Sequence, residues 1–481
     1  MVKKIILILL TTYCLLTSVA VIAKNNHAES VTANYFNKIK HDPEQLYIFL
    51  NQMPKGADLH DHLSGATYAE DLLAYAKQDN FCIDTVTFML SQNSQCPAAQ
   101  QLANINNNAD LYRRIIENWS LDNFVAGQQS DAEHFFPTFI KFGSIVANHM
   151  GAVLAELVAR AAAEKVSYLE LMLTPYDLAL VSSDGDLVGD ADKTLKWNNN
   201  FAQMRTQLLQ NGLLNFVKQI SARINMAEQQ MQQQLKCGTA QADPGCQVKV
   251  RYQYIILRET PPLQVFAQLL AGFEAAKSDP RIVAINLVQP EDGPLATQNY
   301  NLAMQMVGYL HTLYPHVHIT LHAGELMPDD VTPEGLRNHI RQAVEIAHAE
   351  RIGHGVDIAY EDNATQLLQE MAAKNIMVEI NLTSNAKLLG IQGNAHPFPL
   401  YLRNHVPVAL STDDPGVLRT DITRELQRAV LTYNLNYPTL KQLVCNSITY
   451  SFLPKNEKMK LQQQLEKQFA AFEKSITKQD K

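Results

Sequence analysis

The chain has 481 residues, 46% of them hydrophobic and 18% charged, with only 20 Gly and 20 Pro. That profile excludes a disordered chain, a collagen-like repeat and a low-complexity polymer, which carry far more Gly, Pro or net charge. A net charge of −8 argues against nucleic acid or an anionic membrane as the default partner.

The N-terminus opens with Lys3 and Lys4, continues as an apolar stretch from Ile5 and closes on Val21-Ile22-Ala23. This predicts a secretory signal peptide over residues 1–23. An uncleaved anchor is the alternative, since the stretch is nearly long enough to span a bilayer. Cleavage would remove two lysines and no acid, moving the charge from −8 to −10. No later run is apolar enough to span a membrane, so the expected location is periplasmic or secreted, with no membrane insertion after cleavage. Residues 24–53 read as an N-terminal helical arm and 54–481 as one decorated domain. In an oxidising compartment Cys82–Cys96 and Cys237–Cys246 become plausible disulfides, each closing a short polar loop. Cys445, in LKQLVCNSI, reads as a buried, inert thiol.

From residue 56 onward eight apolar runs follow: GADLHDHL, VSYLELMLTP, VRYQYIILRE, IVAINLVQPE, HVHITLHAGE, ERIGHGVDI, IMVEINLTSN and VPVALSTDDPG. Helical patterns lie between them, at Gly151 to Lys165, Leu263 to Lys277, Pro333 to Glu350 and Asn363 to Lys374. Strand alternating with helix predicts a parallel sheet, and eight such units predict an α/β fold of the (β/α)8 TIM-barrel type. Segments of about 77–129 and 177–249 exceed a minimal barrel and read as insertions after strands 1 and 2. The Gln-rich MAEQQMQQQLKCG stretch of the second reads as a solvated helix face.

Histidines and acids collect at the C-terminal ends of these runs, where barrel enzymes carry their chemistry. They are His60, His62, Glu170, Glu291, His322, Glu325, His354, Glu379, Asp413 and Asp414. His60 and His62 are two apart on a strand, so they face the same way, roughly 6.6 to 6.8 Å apart along the chain. His316 and His318 have the same spacing but sit at the start of a strand and read as structural. The imidazoles and carboxylates converging on one barrel end are the donors a zinc-like ion takes. Glu170 and Glu379 read as interior supports, and Asp61 as structural and facing away from its neighbours.

The order HxH, HAGE, RIGHG, STDDP resembles the adenosine/AMP deaminase family, zinc hydrolases on a (β/α)8 barrel. The likeness runs over roughly Pro54 to Tyr450 and is greatest to the secreted, growth-factor-related branch and its bacterial relatives. The resemblance implies one Zn2+ per chain held by His60, His62, His322 and Asp413. It implies that His354 orients and helps to deprotonate the attacking water, acting near neutrality. Glu325 would protonate the substrate ring from a pKa raised by burial, and Asp414 would hydrogen-bond the purine. The chain departs from the pattern at Ser64, where intracellular relatives carry an acid that contacts ribose. It departs again at Val288-Gln289-Pro290-Glu291, where they carry a glycine after the fourth strand. No lysine stands in that strand, which favours one metal over two.

The expected activity is therefore hydrolytic deamination of adenosine, and of 2'-deoxyadenosine, to inosine and ammonia. AMP, adenine or another aminopurine is the alternative substrate, with Arg258 and Arg419 as candidate phosphate partners. A secreted growth-factor-like binding protein with a scaffold barrel is the remote alternative. The expected partner is a small purine nucleoside, with no nucleic acid; a homodimer is left open.

Overall fold

The computed structural model describes residues 27–92, 96–125, 131–173, 186–187 and 190–479. The expected signal peptide therefore lies outside the described residues. Eight parallel strands form one sheet in sequence order: β1 Gly56–His62, β2 Val166–Leu173, β3 Lys249–Leu257, β4 Ile282–Val288, β5 His318–Ala323, β6 Arg351–His354, β7 Met377–Ile380 and β8 Val408–Leu410. These are the eight runs seen in the sequence. They are buried almost throughout, as expected where a barrel interior lies on one face and helices on the other. The sheet closes where β1 meets the residues after β8. The His62 N–H donates to the Asp413 carbonyl at 2.8 Å and the Asp413 N–H donates to the His60 carbonyl at 2.9 Å. The architecture is a (β/α)8 barrel.

Three of the four predicted helices form nearly as read, at Met150–Ala163, Pro262–Ser278 and Ala364–Lys374. The fourth does not. Helix is confined to His339–Glu345 instead of running from Pro333 to Glu350. Residues 333–338 are turns, with Gly335 and Asn338 weakening the pattern. The buried Glu361 carboxylate then accepts from the Ile340 and Arg341 N–H groups, at 2.6 and 3.2 Å, and starts the helix there.

Residues 27–39 are helical and a second helix, Pro43–Gln52, follows. Asp42 caps the second by accepting from the Glu44 and Gln45 N–H groups, with Pro43 at the first helical position. Phe36 and Phe49 pack on Tyr437 and Phe472 of the C-terminal helices, so the first two and the last two described helices meet.

Between β1 and β2 the chain builds a second hydrophobic cluster around Trp119, with Leu72, Phe81, Phe88, Ile115 and Phe142. Cys82 and Cys96 are paired there. Between β2 and β3 the helix Leu213–Gln234 buries Phe216, Ile220 and Ile224 and leaves Gln229, Gln230, Gln232, Gln233 and Gln234 exposed. Cys237 pairs with Cys246 just beyond it. Cys445 is half-buried, and burial pushes its thiol pKa up. His318 lies at the barrel end away from the seam residues, paired with Glu350 at 2.8 Å and stacked on Phe452. Among the described residues no single helix is long and apolar enough to cross a membrane; one pair bent by 100°, at 134–148 and 150–163, passes only when taken together.

Candidate active site

His60, His62, His322 and Asp413 come together from β1, the end of β5 and the turn after β8, with one donor atom of each within 4.8 Å of the others. His62 Nε2 lies 3.2 Å from His322 Nε2, and Asp413 Oδ1 lies 3.3 Å from both His60 Nε2 and His62 Nε2. Four ligands placed tetrahedrally at 2.0–2.1 Å from a zinc ion stand about 3.3–3.4 Å apart, so this spacing fits one small transition metal. His60 Nε2 is also buried with no hydrogen-bond partner in the protein. The donor set and the orphaned nitrogen both fit a bound ion.

The other ring nitrogens of His60 and His322 are held from behind. His60 Nδ1 lies 2.7 Å from Glu379 Oε2, whose other oxygen accepts from Thr320 and pairs with Arg351, which pairs in turn with Glu170. His322 Nδ1 and the His322 N–H both lie 3.0 Å from Asn286 Oδ1. Asn286 is itself placed by Gln253, which bonds the Leu59 carbonyl. Such partners fix imidazole orientation and leave the opposite nitrogen for the ion. Glu170 and Glu379 thus lie behind the donors as interior groups. Asn286, Gln253 and Arg351 are absent from the sequence reading, because their only signal is a polar residue within or at the start of an apolar strand. Asp61 turns away into a small cavity with Asp58, Arg160 and Glu164.

Charge follows the same geometry. Burial lowers the His60 pKa, but the Asp413 and Glu379 carboxylates raise it to about 10 in the metal-free chain. Burial, then the neighbouring imidazoles, lowers His322 well below its usual value. Glu325 is pushed well above the usual carboxylate range by burial and by the Asp413 charge. Its loop is fixed by Glu291, which accepts from the Gly324 and Glu325 N–H groups at 3.0 and 2.9 Å. Burial would raise Glu291, yet the His339 hydrogen bond and the His339 and Arg258 charges hold it at about 2. It stays an acceptor for both amides.

His354 ends β6 with Nδ1 3.5 Å from Glu325 Oε1 and Nε2 3.9 Å from Asp413 Oδ2. Its pKa does not sit near neutrality: burial, which Asp413 only partly offsets, lowers it to about 3. His354 and Asp413 adopt φ of +67° and +66°, a left-handed backbone that costs most residues of order 1 kcal/mol or more and clusters at functional sites. Gln289, in the segment where the family pattern has glycine, adopts φ +81°. Its side chain accepts from the Glu259 N–H at 2.9 Å, which pins that conformation. Asp414 is buried, its Oδ1 is unpartnered, and burial followed by the Asp413 charge raises its pKa well above the usual range. A Cβ on Gly65 would stand 1.6 Å from that oxygen, so only glycine leaves Asp414 its place. Ser64 lies in the adjoining turn Leu63–Ala66 and is buried, outside the hydrogen-bond network of the donor cluster.

The adenosine deaminase family model matches residues 101–468. The chain belongs to the adenosine deaminase family. His60 and His62 precede the matched span and join the site through the fold. Among curated relatives, adenosine deaminase of Clostridium perfringens is 32% identical over 144 residues, covering 30% of this chain and 40% of the relative. That of Escherichia coli strain SMS-3-5 is 36% identical over 149 residues, covering 31% and 41%. The chain thus spans about two fifths of the length of these family members. Among solved structures, an amidohydrolase of Burkholderia ambifaria with bound Zn is similar at TM-score 0.57 and 16% identity, covering 90% of this chain and 94% of that one. The ADAL–IMP complex is similar at TM-score 0.57 and 21% identity, covering 88% and 99%. Adenine deaminase of Arthrobacter aurescens is similar at 0.52 and 18%, covering 86% and 98%. At these identities the likeness is one of fold.

Proposed function

We propose that this adenosine deaminase family member hydrolyses adenosine and 2'-deoxyadenosine to the inosine nucleosides and ammonia, using one zinc ion held by His60, His62, His322 and Asp413. The observation that carries the reading is the four-donor cluster with a carboxyl of raised pKa, Glu325, beside it. A metal bound there supplies water ionised near neutrality, its pKa brought from 15.7 towards about 7. The protein's own groups do the rest. Water oxygen bonds to the ring carbon that bears the amine, and Glu325 gives its proton to the adjacent ring nitrogen. The carbon–nitrogen bond then breaks as the new hydroxyl's proton passes to the amine, which leaves as ammonia, and the first proton lost by the water restores Glu325. Asp414, whose carboxyl pKa is raised by burial and by the Asp413 charge, hydrogen-bonds a purine nitrogen. His354 orients the attacking water, and Ser64 stands at the ribose end with a weaker contact than an acid would make.

A nucleoside is favoured over AMP because Arg419 is already engaged by a carboxylate and Arg258, whose Nη2 is unpartnered, is buried 3.7 Å from the Glu291 carboxylate. Arg258 is buried against the Val288 and His322 carbonyls, each at 3.3 Å, and Arg419 holds both Glu70 oxygens at 2.7 and 2.9 Å. We place the enzyme outside the cytoplasm, on the N-terminal pattern and the two paired cysteine loops. The test is a panel of adenosine, 2'-deoxyadenosine, AMP and adenine, with and without chelator. Inosine formation from adenosine that a chelator abolishes supports the reading; faster turnover of AMP or adenine contradicts the substrate assignment.

A further inference from the structure

Behind His354, a chain of three hydrogen bonds leads in from the backbone. The Phe398 N–H donates to His396 Nδ1 at 3.0 Å, His396 Nε2 lies 3.1 Å from Asn385 Oδ1, and Asn385 Nδ2 lies 3.0 Å from His354 Nδ1. All three side chains are buried. The direction of each bond follows from the first. A backbone amide only donates, so His396 Nδ1 accepts. Burial lowers the His396 pKa to about 4, which keeps the ring neutral, and its single proton must then sit on Nε2. That proton goes to Asn385 Oδ1 and turns the NH2 end of the amide toward His354. An amide NH2 also only donates, so His354 Nδ1 presents its lone pair, and the proton of the neutral ring is on Nε2. Nε2 is the nitrogen that faces Asp413. Asn381 Nδ2 stands 3.5 Å from Nε2 while Asn381 Oδ1 is buried without a partner; turning that amide over sets its oxygen against the Nε2 proton and satisfies both groups.

We propose that Asn385 and His396 are positioning residues for His354, fixing its ring in the tautomer with the proton on Nε2, so that it faces the metal donors as a hydrogen-bond donor. In that state Nε2 has no lone pair with which to take a proton, and His354 orients the attacking water without deprotonating it. The consequence for turnover rests on the deaminase reading; the tautomer does not.

The experiment is long-range 1H–15N NMR on metal-loaded protein labelled with 15N-histidine, with His354 assigned by difference against His354→Gln. The wild-type protein is expected to show an unprotonated Nδ1 and a protonated Nε2 at His354. Asn385→Asp puts an acceptor where the NH2 stood. It is expected to move the proton to Nδ1 and to lower kcat by roughly 10²- to 10⁴-fold, with KM changed by less than about threefold. A proton on Nδ1 of wild-type His354 overturns the proposal without any variant. So does Asn385→Asp with an unchanged tautomer or unchanged kcat. The expected tautomer in a protein that turns over no purine supports the positioning and contradicts the function.

Discussion

Asp413 meets His60 twice, through its side chain at 3.3 Å from His60 Nε2 and through its backbone N–H, which donates to the His60 carbonyl at 2.9 Å. The barrel seam and the donor cluster are therefore one structure, and the left-handed backbone at Asp413 serves both. Asn tolerates that conformation and keeps the side-chain shape, whereas a β-branched residue does not. Asp413→Asn should weaken metal binding at least tenfold while the protein stays folded. Asp413→Val should lose the metal and a further 1–3 kcal/mol of stability. Thermal unfolding of the two metal-free variants separates the effects, and equal melting temperatures would count against the seam role.

Metal affinity should depend on pH through His60. The metal-free chain holds a proton on His60 up to about pH 10, and the ion must displace it. Affinity should rise about tenfold per pH unit between roughly pH 7 and 9. The stability that proton gives the metal-free chain is full below about 6.5, the ordinary histidine value, and is lost as pH rises through about 10. Competition against a chelator of known pH dependence measures the first effect; a flat profile would contradict it.

Asn286 accepts from both the N–H and the ring of His322. Asn286→Leu removes that acceptor and frees the imidazole to turn its wrong nitrogen to the ion. A loss of about 10- to 100-fold in metal affinity is expected, read by the same competition. Wild-type affinity in this variant would mean that packing alone orients His322.

Gly65→Ala places a methyl where Asp414 Oδ1 now stands. Overpacking of this kind costs about 1–3 kcal/mol, and the displaced carboxyl should raise KM for adenosine with the metal content unchanged. Steady-state kinetics with metal analysis on one sample checks this, and an unchanged KM would remove Asp414 from the purine site.

The barrel and its donors were legible because each donor ends an apolar run, and the HxH pair carries strand spacing on its face. Of the groups behind the donors, Glu170 and Glu379 read as interior supports but without their partners, and Asn286, Gln253 and Arg351 did not read at all. Glu379 reaches His60 from β7 and Asn286 reaches His322 from β4, and these contacts depend on which interior faces meet across a closed barrel. Spacing along one strand says nothing of that. The helix expected from Pro333 failed for a related reason: its true start is set by Glu361, which precedes the next helix of the chain and approaches only in the folded state.

The most direct measurement compares wild type with Glu325→Gln for ammonia and inosine release from adenosine, with metal quantified in both. Wild type is expected to turn over and the variant to lose at least about 10²-fold in kcat, each retaining one metal per chain. Glu325→Gln turning over like wild type, or metal-loaded wild type that releases no ammonia from adenosine, would contradict the proposed function.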